Sequence, residues 1–444
     1  MDWPEFETEL VAGIVAKVTE RAGRDGELYA AALAHIYAES GGVIRLPMLG
    51  VNAQEAPAQD EGMRWSVADW DDVSDTWLPQ ERWEHWERTL TEEAARGSVR
   101  HWDRIFARYL AALTRVCKRA RKELRADGVT GRGFVVVLLT DDNAEEGLLR
   151  RVLTESELYR LFPAYDEAAA WVAEAEAEPP ALRAVRYVRA LSDHNSPLGH
   201  EDIEKALHEL GRDAVPALVD AVAQGPDRWQ AAKVLADMGD AAAVVVDALR
   251  HALENTTGPD RNWAAVALSR LGRLDVVLAA SALPDDAVVS AVTAPYTSFR
   301  DHAVAPLPLT YVPLEQFLLD QPQFNDAVQA ELRPGSSYCS IRREEVPAAM
   351  DALRSPQVVV RRHAVCVLGE RRLGATVARQ VVPRLAAVAG GDQDATTRRL
   401  AVLSLGWWKQ DARHHADAVR EALRDPDPEV RAAAQHSLEE NPSW

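Results

Sequence analysis

Apolar residues recur along the second half of the chain with the spacing of stacked helices. Five segments share one ungapped pattern, in which an arginine is followed by alanine three residues later and by leucine seven residues later. These offsets place the alanine and the leucine on one stripe of a helix. Since a single helix of this kind cannot bury its stripe alone, the pattern predicts a stacked array. The five segments are Arg228/Ala231/Leu235, Arg261/Ala264/Leu268, Arg361/Ala364/Leu368, Arg398/Ala401/Leu405 and Arg431/Ala434/Leu438.

The repeating unit is predicted to be helix–turn–helix. A turn rich in Asp, Pro or Gly precedes each arginine segment, as in DPDPE before Val430, and such turns break helices and offer helix caps. The arginines are separated by 33, 100, 37 and 33 residues, and the gap of 100 is close to three periods. Within this gap, residues 301–345 are rich in proline and lack the pattern. They form either an ordered insertion on one face of the array or a degenerate repeat.

The repeated segments resemble the short bacterial variety of HEAT-like repeats. The resemblance rests on stretches such as SPQVVVRRHAVCVLGE and DPDPEVRAAAQHSL, and it covers roughly residues 200–300 and 346–440. It implies an all-α solenoid in which the repeated arginine joins a ladder of contacts with acidic residues of neighbouring repeats. Arg361, Arg398 and Arg431 are expected to do so here. The corresponding Arg228 and Arg261 are likewise interpreted as structural.

The first 178 residues mix helix and strand patterns. A first helix is predicted over residues 4–21, because apolar residues at every fourth position from Phe6 to Val18 form one stripe. Two apolar runs then flank Gly41-Gly42 and favour a β-hairpin, although the alanine-rich first run also suits a helix. The continuous apolar run at residues 134–139 predicts a buried strand.

A long amphipathic helix is predicted over residues 99–126. Its buried stripe comprises Ile105, Tyr109, Leu113, Val116, Ala120 and Leu124. The other side carries the main basic concentration of the chain, which is either a surface for an acidic partner or a solvated face. This side holds Arg104, Arg108, Arg115, Lys118, Arg119, Arg121, Lys122 and Arg125.

Two segments of the first domain carry helix-start signals. In MRWSVADWDD, Ser66 is predicted to cap a helix together with Asp69, while Trp65 and Trp70 pack as a hydrophobic staple. In the second segment, Thr154 is the predicted cap and closes a capping box with a glutamate three residues later. These tryptophan, serine and aspartate residues are therefore interpreted as structural.

The order of these elements resembles a bacterial family called domain of unknown function 4303. The resemblance is carried by residues 65–70, 134–142 and 158–163, and it covers about residues 1–165. It implies a mixed α/β domain of bacterial origin. It implies no established activity, so it assigns no catalytic residue.

The charge of the chain narrows the classes of partner. The 444 residues contain 50 Lys and Arg against 69 Asp and Glu, a net charge of −19, of which −13 falls in residues 1–178. This acidity disfavours sequence-independent nucleic-acid binding and docking on anionic lipid. The cysteines are only three, Cys117, Cys339 and Cys366, which excludes a disulfide framework and a C-x-x-C metal site. With no signal peptide or membrane span visible, a cytoplasmic location without membrane attachment is expected.

Few residues are candidates for catalysis or metal binding. Asp141 and Asp142 follow the predicted strand at 134–139, where α/β folds often place catalytic carboxylates, and Asp71 or Asp72 is a candidate partner. No second half of a catalytic motif accompanies them. His414-His415 is weak as a metal site, because adjacent helical positions face different directions. We therefore predict no catalytic residue, no metal site and no cofactor.

An adjacent tryptophan pair offers a possible protein-binding anchor. Trp407 and Trp408 end a repeat helix, where one ring is expected to pack inside and the other to lie exposed. The oligomeric state is not determined by the sequence.

The sequence thus predicts an α+β N-terminal domain, a small sheet with flanking helices, followed by an all-α HEAT-like solenoid. The predicted divisions are residues 1–178, a first repeat block at 179–300, the irregular segment 301–345 and a second repeat block at 346–444. The favoured function is a non-catalytic protein-binding scaffold, in a narrower version an immunity-type protein that neutralises a basic toxin. The alternatives are a HEAT-like DNA-repair protein of the alkylated-base glycosylase kind and an enzyme using Asp141 and Asp142.

Overall fold

The chain forms two compact units in the computed structural model, Met1–Ala169 and Ala170–Trp444. The first unit ends nine residues before the predicted limit at residue 178. The predicted fold class is confirmed, since a small sheet with helices is followed by an array of helices alone. The structure describes residues 1–25, 27–39, 42–53, 65–70, 72–96, 98–139, 145–280, 283–333 and 338–444.

The first unit is built from four strands and six helices within the described residues, the last helix continuing into the second unit. The strands are β1 Leu28–Ala34, β2 Met48–Ala53, β3 Asp72–Ser74 and β4 Val135–Leu138. The helices are α1 Trp3–Asp25, α2 Gln80–Ala95, α3 Val99–Ala126, α4 Glu145–Val152, α5 Glu155–Leu161 and α6 Pro163–Glu176.

The four strands form one mixed sheet in the order β3-β2-β1-β4. β1 pairs antiparallel with β2, which confirms the predicted hairpin, and parallel with β4. The sheet is covered on both faces. Alternate residues of the last strand enter different cores, Val136 with the α1 and α3 side and Val137 with the opposite side. This double burial explains why residues 134–139 are continuously apolar.

The long helix α3 has the predicted bounds, and its predicted apolar stripe is buried. Its basic side is not uniformly solvated. Arg121 is 9% exposed, its Nε donates to the carbonyl oxygen of Phe134 at 3.0 Å, and its guanidinium pairs with Glu157. Placing Arg121 with the solvated arginines was therefore wrong, because a carboxylate 36 residues later neutralises it.

The two predicted helix starts have different outcomes. Thr154 and Glu157 form the predicted capping box at the start of α5, with the Glu157 carboxylate accepting from the Thr154 N–H at 3.1 Å. Ser66 makes no side-chain cap hydrogen bond, so the capping box predicted there is wrong. Only a single 3-10 turn follows Ser66, because the chain enters β3 at Asp72 and pairs with β2.

The tryptophans beside Ser66 pack in an aromatic cluster rather than at a helix start. The rings of Trp65 and Trp70 have their centroids 6.4 Å apart, and Tyr29 of β1 contacts both. Phe162 stacks on Trp65 at 4.5 Å. The cluster covers the face of the sheet opposite α1 and α3.

The second unit consists of short helices and 3-10 turns. The five arginine segments coincide with α10, α12, α18, α20 and α22. The helices are α7 Pro180–Leu191, α8 His200–Leu210, α9 Val215–Gln224, α10 Arg228–Met238, α11 Ala243–Asn255, α12 Gly258–Arg270, α13 Leu274–Ala279, α14 Asp285–Thr293, α15 Val312–Asp320, α16 Asn325–Glu331, α17 Val346–Ala352, α18 Val358–Leu368, α19 Ala375–Gly391, α20 Ala395–Trp407, α21 Ala416–Ala422 and α22 Pro428–Glu439.

Alternate helices stack on one another. The helices that carry the repeated pattern stack in two rows, α10 on α12 and α18 on α20 on α22, and α14 continues the first row without the pattern. In the second layer, α9 packs on α11 and α19 on α21. The repeated alanines and leucines are buried between these layers, except for Leu438, which is half-buried. Small alanines let neighbouring helices approach and the leucines fill the layer, as the spacing predicts.

The irregular segment 301–345 is ordered in its described residues and contributes to the core. Its helices α15 and α16 place Phe317 and Val328 in the same hydrophobic cluster as the second repeat block. Residues 303–310 are not helical, and below we call them the strap. In the described part of the chain, every helix is too short or too polar to cross a bilayer.

Candidate protein-binding groove

The adjacent tryptophans at the end of α20 have opposite environments. Trp408 is fully buried, and its Nε1 donates to the carbonyl oxygen of Leu368 at 2.9 Å, which ties α20 to α18. Trp407 is 48% exposed. Adjacent helical positions point in different directions, so one ring serves the core and the other reaches the surface.

Trp407 lines a groove of about 460 Å³ between α18, α20 and the segment that begins at Tyr338. Apolar side chains from both helices form much of its surface, while polar groups lie among them. The lining residues are Tyr338, Cys339, Ser340, Cys366, Val367, Glu370, Arg399, Leu400, Leu403 and Trp407.

A glycine allows the exposed ring to lie against the end of α18. A Cβ at Gly369 would come within 2.8 Å of the Ser404 Oγ and 2.9 Å of a Trp407 ring carbon. Ser404 is held in place because its Oγ donates to the carbonyl oxygen of Val365 at 3.1 Å. The bare backbone at Gly369 therefore positions Trp407 across two consecutive repeats.

The groove also contains a guanidinium with unused donors. Arg399 is half-buried, and within the described residues its side chain makes no hydrogen bond or ion pair. Glu370 accepts from the Arg372 N–H at 2.9 Å. Exposed tryptophan and arginine side chains in an otherwise packed groove are typical of binding hot spots.

Two cysteines that line the groove and a histidine behind it are neutral at pH 7. Burial raises the pKa of the Cys366 and Cys339 thiols to about 12, so neither is a nucleophilic thiolate. Burial also lowers the pKa of His363 to about 4. This histidine lies 2.8 Å from the Tyr311 hydroxyl and 2.8 Å from the carbonyl oxygen of Tyr296. The arrangement suits binding better than acid–base chemistry.

The other predicted candidates do not assemble into a site in the described part of the structure. Asp141, Asp142 and Asp71 lie outside the described residues. Asp72 in β3 forms an ion pair with Lys17 at 3.1 Å. His414 and His415 lie in a 3-10 turn, Lys409–His415. Among the described residues, no group of three or more His, Cys, Asp or Glu side chains is placed to hold a metal ion.

Repeated arginines connect consecutive repeats of the second block. Arg361 binds Asp392 at 2.8 and 3.0 Å, and Arg398 binds Asp425 at 2.8 Å through each of two nitrogens. Each aspartate lies in the turn of the following repeat. Arg431 instead donates to the carbonyl oxygen of Asp425 at 2.7 Å and to that of Pro426.

The same position is used differently in the first block. Arg228 donates to the carbonyl oxygen of Gly225 at 3.3 Å, and Arg261 to that of Thr256 at 2.7 Å. Both interactions secure the turn before the helix. Asp260 makes one link between the two repeats, since its carboxylate accepts from the Trp229 N–H at 3.0 Å.

Acidity is concentrated away from the groove. Residues 346–444 carry 14 Lys and Arg against 12 Asp and Glu, a net charge of +2. Residues 179–345 carry 15 against 23, a net charge of −8. The acidic character of the chain therefore belongs to the first unit and to the first part of the solenoid.

A row of aromatic rings on the first block was not predicted. Trp229 and Trp263 have centroids 6.1 Å apart, and Phe299 lies 5.1 Å from Trp263. Trp263 and Phe299 line a second groove of about 420 Å³. The signal was present in the sequence, since the tryptophans follow the pattern arginines by one and two residues.

Together, the stacked helix pairs and the inter-repeat arginines define a helical-repeat protein. Residues 346–439 match the family model for HEAT repeats. No curated protein matches the chain significantly. Among solved structures, human deoxyhypusine hydroxylase in complex with glycerol is 20% identical, and the match covers 66% of this chain and 92% of that chain with a TM-score of 0.22. At that level the likeness does not bear on activity.

Proposed function

We propose that this protein is a non-catalytic scaffold that binds a protein partner through the groove around Trp407. The observation that carries the proposal is the half-exposed indole of Trp407, fixed by Gly369 above an apolar surface. Solenoids present extended surfaces of this kind to partners. Large aromatic side chains in such surfaces commonly dominate the binding energy.

The partner is proposed to contribute an apolar side chain together with a hydrogen-bond acceptor. Val367, Leu400 and Leu403 offer the groove an apolar surface, and the unused donors of Arg399 lie beside them. An apolar residue of the partner would cover Trp407, while a carbonyl or carboxylate group would accept from Arg399. Such a combination gives both affinity and orientation.

The partner is further proposed to be basic overall, which suits an immunity-type protein that neutralises a toxin. The supporting observation is charge, since residues 1–345 carry the whole negative surplus while residues 346–444 are at +2. Long-range attraction between opposite net charges accelerates the encounter of the two proteins rather than strengthening the contact itself. Salt should therefore lower the association rate constant, and loss of Trp407 should raise the dissociation rate constant.

The first experiment identifies the partner at the groove. A photo-crosslinking amino acid is placed at position 407 of the full chain in its native host, with position 182 as the control. Leu182 is also a large exposed apolar residue, 59% exposed, but it lies in α7 outside the groove. The proposal predicts a protein crosslinked at position 407 and absent at position 182.

The second experiment measures affinity for the purified partner. Trp407→Ala should weaken binding by about 30-fold or more, the effect of a hot-spot residue, whereas Leu182→Ala should leave it unchanged. Equal affinity of the two variants would reject the groove. An association rate that is insensitive to salt would reject the proposal of a basic toxin as partner, but not the groove itself. Crosslinking of nucleic acid at position 407 would favour the DNA-repair alternative.

A further inference from the structure

A second cavity lies in the first part of the solenoid, beneath the strap. It has a volume of about 130 Å³ and is enclosed by the ends of α10 and α12, by α14 and by residues 303–310. Its surface is mainly apolar, with Leu274, Val292 and several prolines of the strap region among the lining residues. It shares no lining residue with the groove around Trp407.

Two glycines bring the strap close to the helix ends. Gly239 and Gly272 follow α10 and α12 in the left-handed region, with φ of 72° and 77°. A Cβ at Gly239 would lie 3.3 Å from the Ala305 carbonyl oxygen, and one at Gly272 would lie 3.0 Å from a Leu307 methyl group. The Val304 N–H donates to the carbonyl oxygen of Asp237 at 2.7 Å. The strap is therefore a fixed wall of the cavity.

An arginine in the cavity wall has an unused buried donor. The Arg270 side chain is 3% exposed, and its Nη2 donates to the fully buried carboxylate of Asp237 at 2.5 Å. Its Nη1 is buried and has no hydrogen-bond partner. Asp237 thus orients the guanidinium and leaves one of its two terminal nitrogens without an acceptor from the protein.

The neighbouring serine has an unused hydroxyl. Ser269 lines the cavity, is 5% exposed, and its Oγ has no hydrogen-bond partner. The buried serines of the second block behave differently. Ser404 and Ser437 each donate to a carbonyl oxygen of the preceding repeat, at 3.1 and 3.4 Å. Ser269 and Arg270 therefore present adjacent donors that the fold itself does not use.

The charged groups in the cavity wall admit an anion rather than attract one strongly. Its charged residues are Arg270 and Arg300, whereas no carboxylate is among the lining residues. Their counterions, Asp237 and Glu345, pair with them from outside the lining. Because these counterions already balance the guanidinium charges, a monoanion suits the site better than a dianion such as phosphate.

We propose that this cavity binds a short-chain monocarboxylate. The carboxylate accepts from Arg270 Nη1 and Ser269 Oγ, and its hydrocarbon tail lies against the apolar wall formed by Leu274, Val292 and the strap. A cavity of about 150 Å³ holds benzene, which has six heavy atoms. A cavity of 130 Å³ therefore suits a molecule of about the size of butyrate.

The test measures binding of sodium butyrate to the full chain by saturation-transfer NMR. Acetate, hexanoate, octanoate, butyramide and inorganic phosphate are measured in parallel. Binding should strengthen about fourfold for each added methylene from acetate to butyrate, and octanoate should not fit. Butyramide, which has the same shape without the charge, should bind much more weakly.

Two variants locate the site. Ser269→Ala removes one donor and should weaken butyrate binding by about tenfold or more, whereas Ser404→Ala, a buried serine outside the cavity, should not change it. Leu307→Trp places a large ring in the strap wall and should abolish binding. Circular dichroism verifies that each variant is folded.

Several results would overturn the proposal, and the first of them needs no variant. Absence of transfer from every monocarboxylate at millimolar concentration would mean that the cavity holds water only. Equal binding of butyramide, or binding of phosphate without butyrate, would exclude the assigned ligand class. Butyrate binding that is equally affected by Ser269→Ala and Ser404→Ala would place the ligand elsewhere.

Discussion

Arg398 at the start of α20 and Asp425 in the turn before α22 form a two-point ion pair, with both nitrogen–oxygen distances at 2.8 Å. The pair is sheltered, since the side chains are 12% and 9% exposed. A hydrogen bond from the Asp427 N–H holds the same carboxylate. The Arg398 guanidinium keeps the pKa of Asp425 below its usual value. The contact therefore connects two repeats through charged groups that solvent reaches only partly.

Loss of this pair should destabilise the second block. Arg398→Ala and Asp425→Ala are each expected to lower the free energy of unfolding by about 2–3 kcal/mol, since each leaves a partly buried charge without its partner. The double variant should lose less unfolding free energy than the two single variants lose together. The measurement is urea unfolding of all three. Arg420 and Asp417, which pair at the surface with 48% and 87% exposed side chains, should show a coupling below about 0.5 kcal/mol.

A methyl group at Gly369 should disturb the groove. Gly369→Ala places its Cβ too close to Ser404 and Trp407 and is expected to cost about 1–3 kcal/mol of unfolding free energy. The φ of this glycine is −75°, so the effect is steric rather than conformational. Gly390→Ala is the matched control, because nothing lies within 4 Å of its Cβ. That variant should be neutral or more stable by about 0.5–1 kcal/mol. Equal unfolding midpoints would contradict the packing described here.

His363 should make stability depend on pH between about 6.5 and 4. Burial lowers its folded-state pKa to about 4 from 6.5, so the unfolded chain binds the proton more readily. The resulting stability is complete above pH 6.5 and is lost as the pH falls through 4. From pH 7 to pH 5 its contribution should fall by about 2 kcal/mol. In urea unfolding, the stability of His363→Gln should fall by about 2 kcal/mol less than that of the unmodified protein between pH 7 and pH 5. A variant of the exposed His251 should keep the original pH dependence.

Glu345 should make stability depend on pH in a more acidic range, between about 4.5 and 2. Burial alone would raise its pKa, but hydrogen bonds from Arg342 and from the Leu309 N–H lower it to about 2 from 4.5. Its contribution to stability is present above pH 4.5 and is lost as the pH falls through 2. From pH 7 to pH 3 the loss should be about 2 kcal/mol. Glu345→Gln should remove this part of the acid sensitivity, while Glu344→Gln, with a 67% exposed side chain, should retain it.

Local patterns predicted the parts of the fold that depend on local physics. The bounds of α3 follow from helical periodicity, and the Thr154 capping box follows from residues three apart. Ser66 carried the same signal, but pairing of β3 with β2 prevented the helix. The burial of Arg121 depends on Glu157, which is distant in sequence. Such outcomes are decided by tertiary contacts that no local window contains.

The candidate sites were predictable to different degrees. The pair Trp407 and Trp408 stood out in the sequence, and periodicity indicated that one ring is exposed. The groove itself was not predictable, because Arg399 and Tyr338 meet there from segments of different repeats. The cavity beneath the strap was hidden for a stronger reason. Its distinguishing property is that Ser269 and Arg270 lack partners, and a sequence does not show an unused donor.

The arginine–aspartate pairs also bear on how such a chain changes length during evolution. Arg361 and Arg398 are 37 residues apart and make the same two-point contact with the turn that follows. Removal of one whole 37-residue unit would bring Arg361 opposite Asp425, so an equivalent pair would form again. Gene duplication or loss by complete units thus preserves each junction. A deletion that ends part-way through a unit would separate the partners, and selection would be expected to remove it.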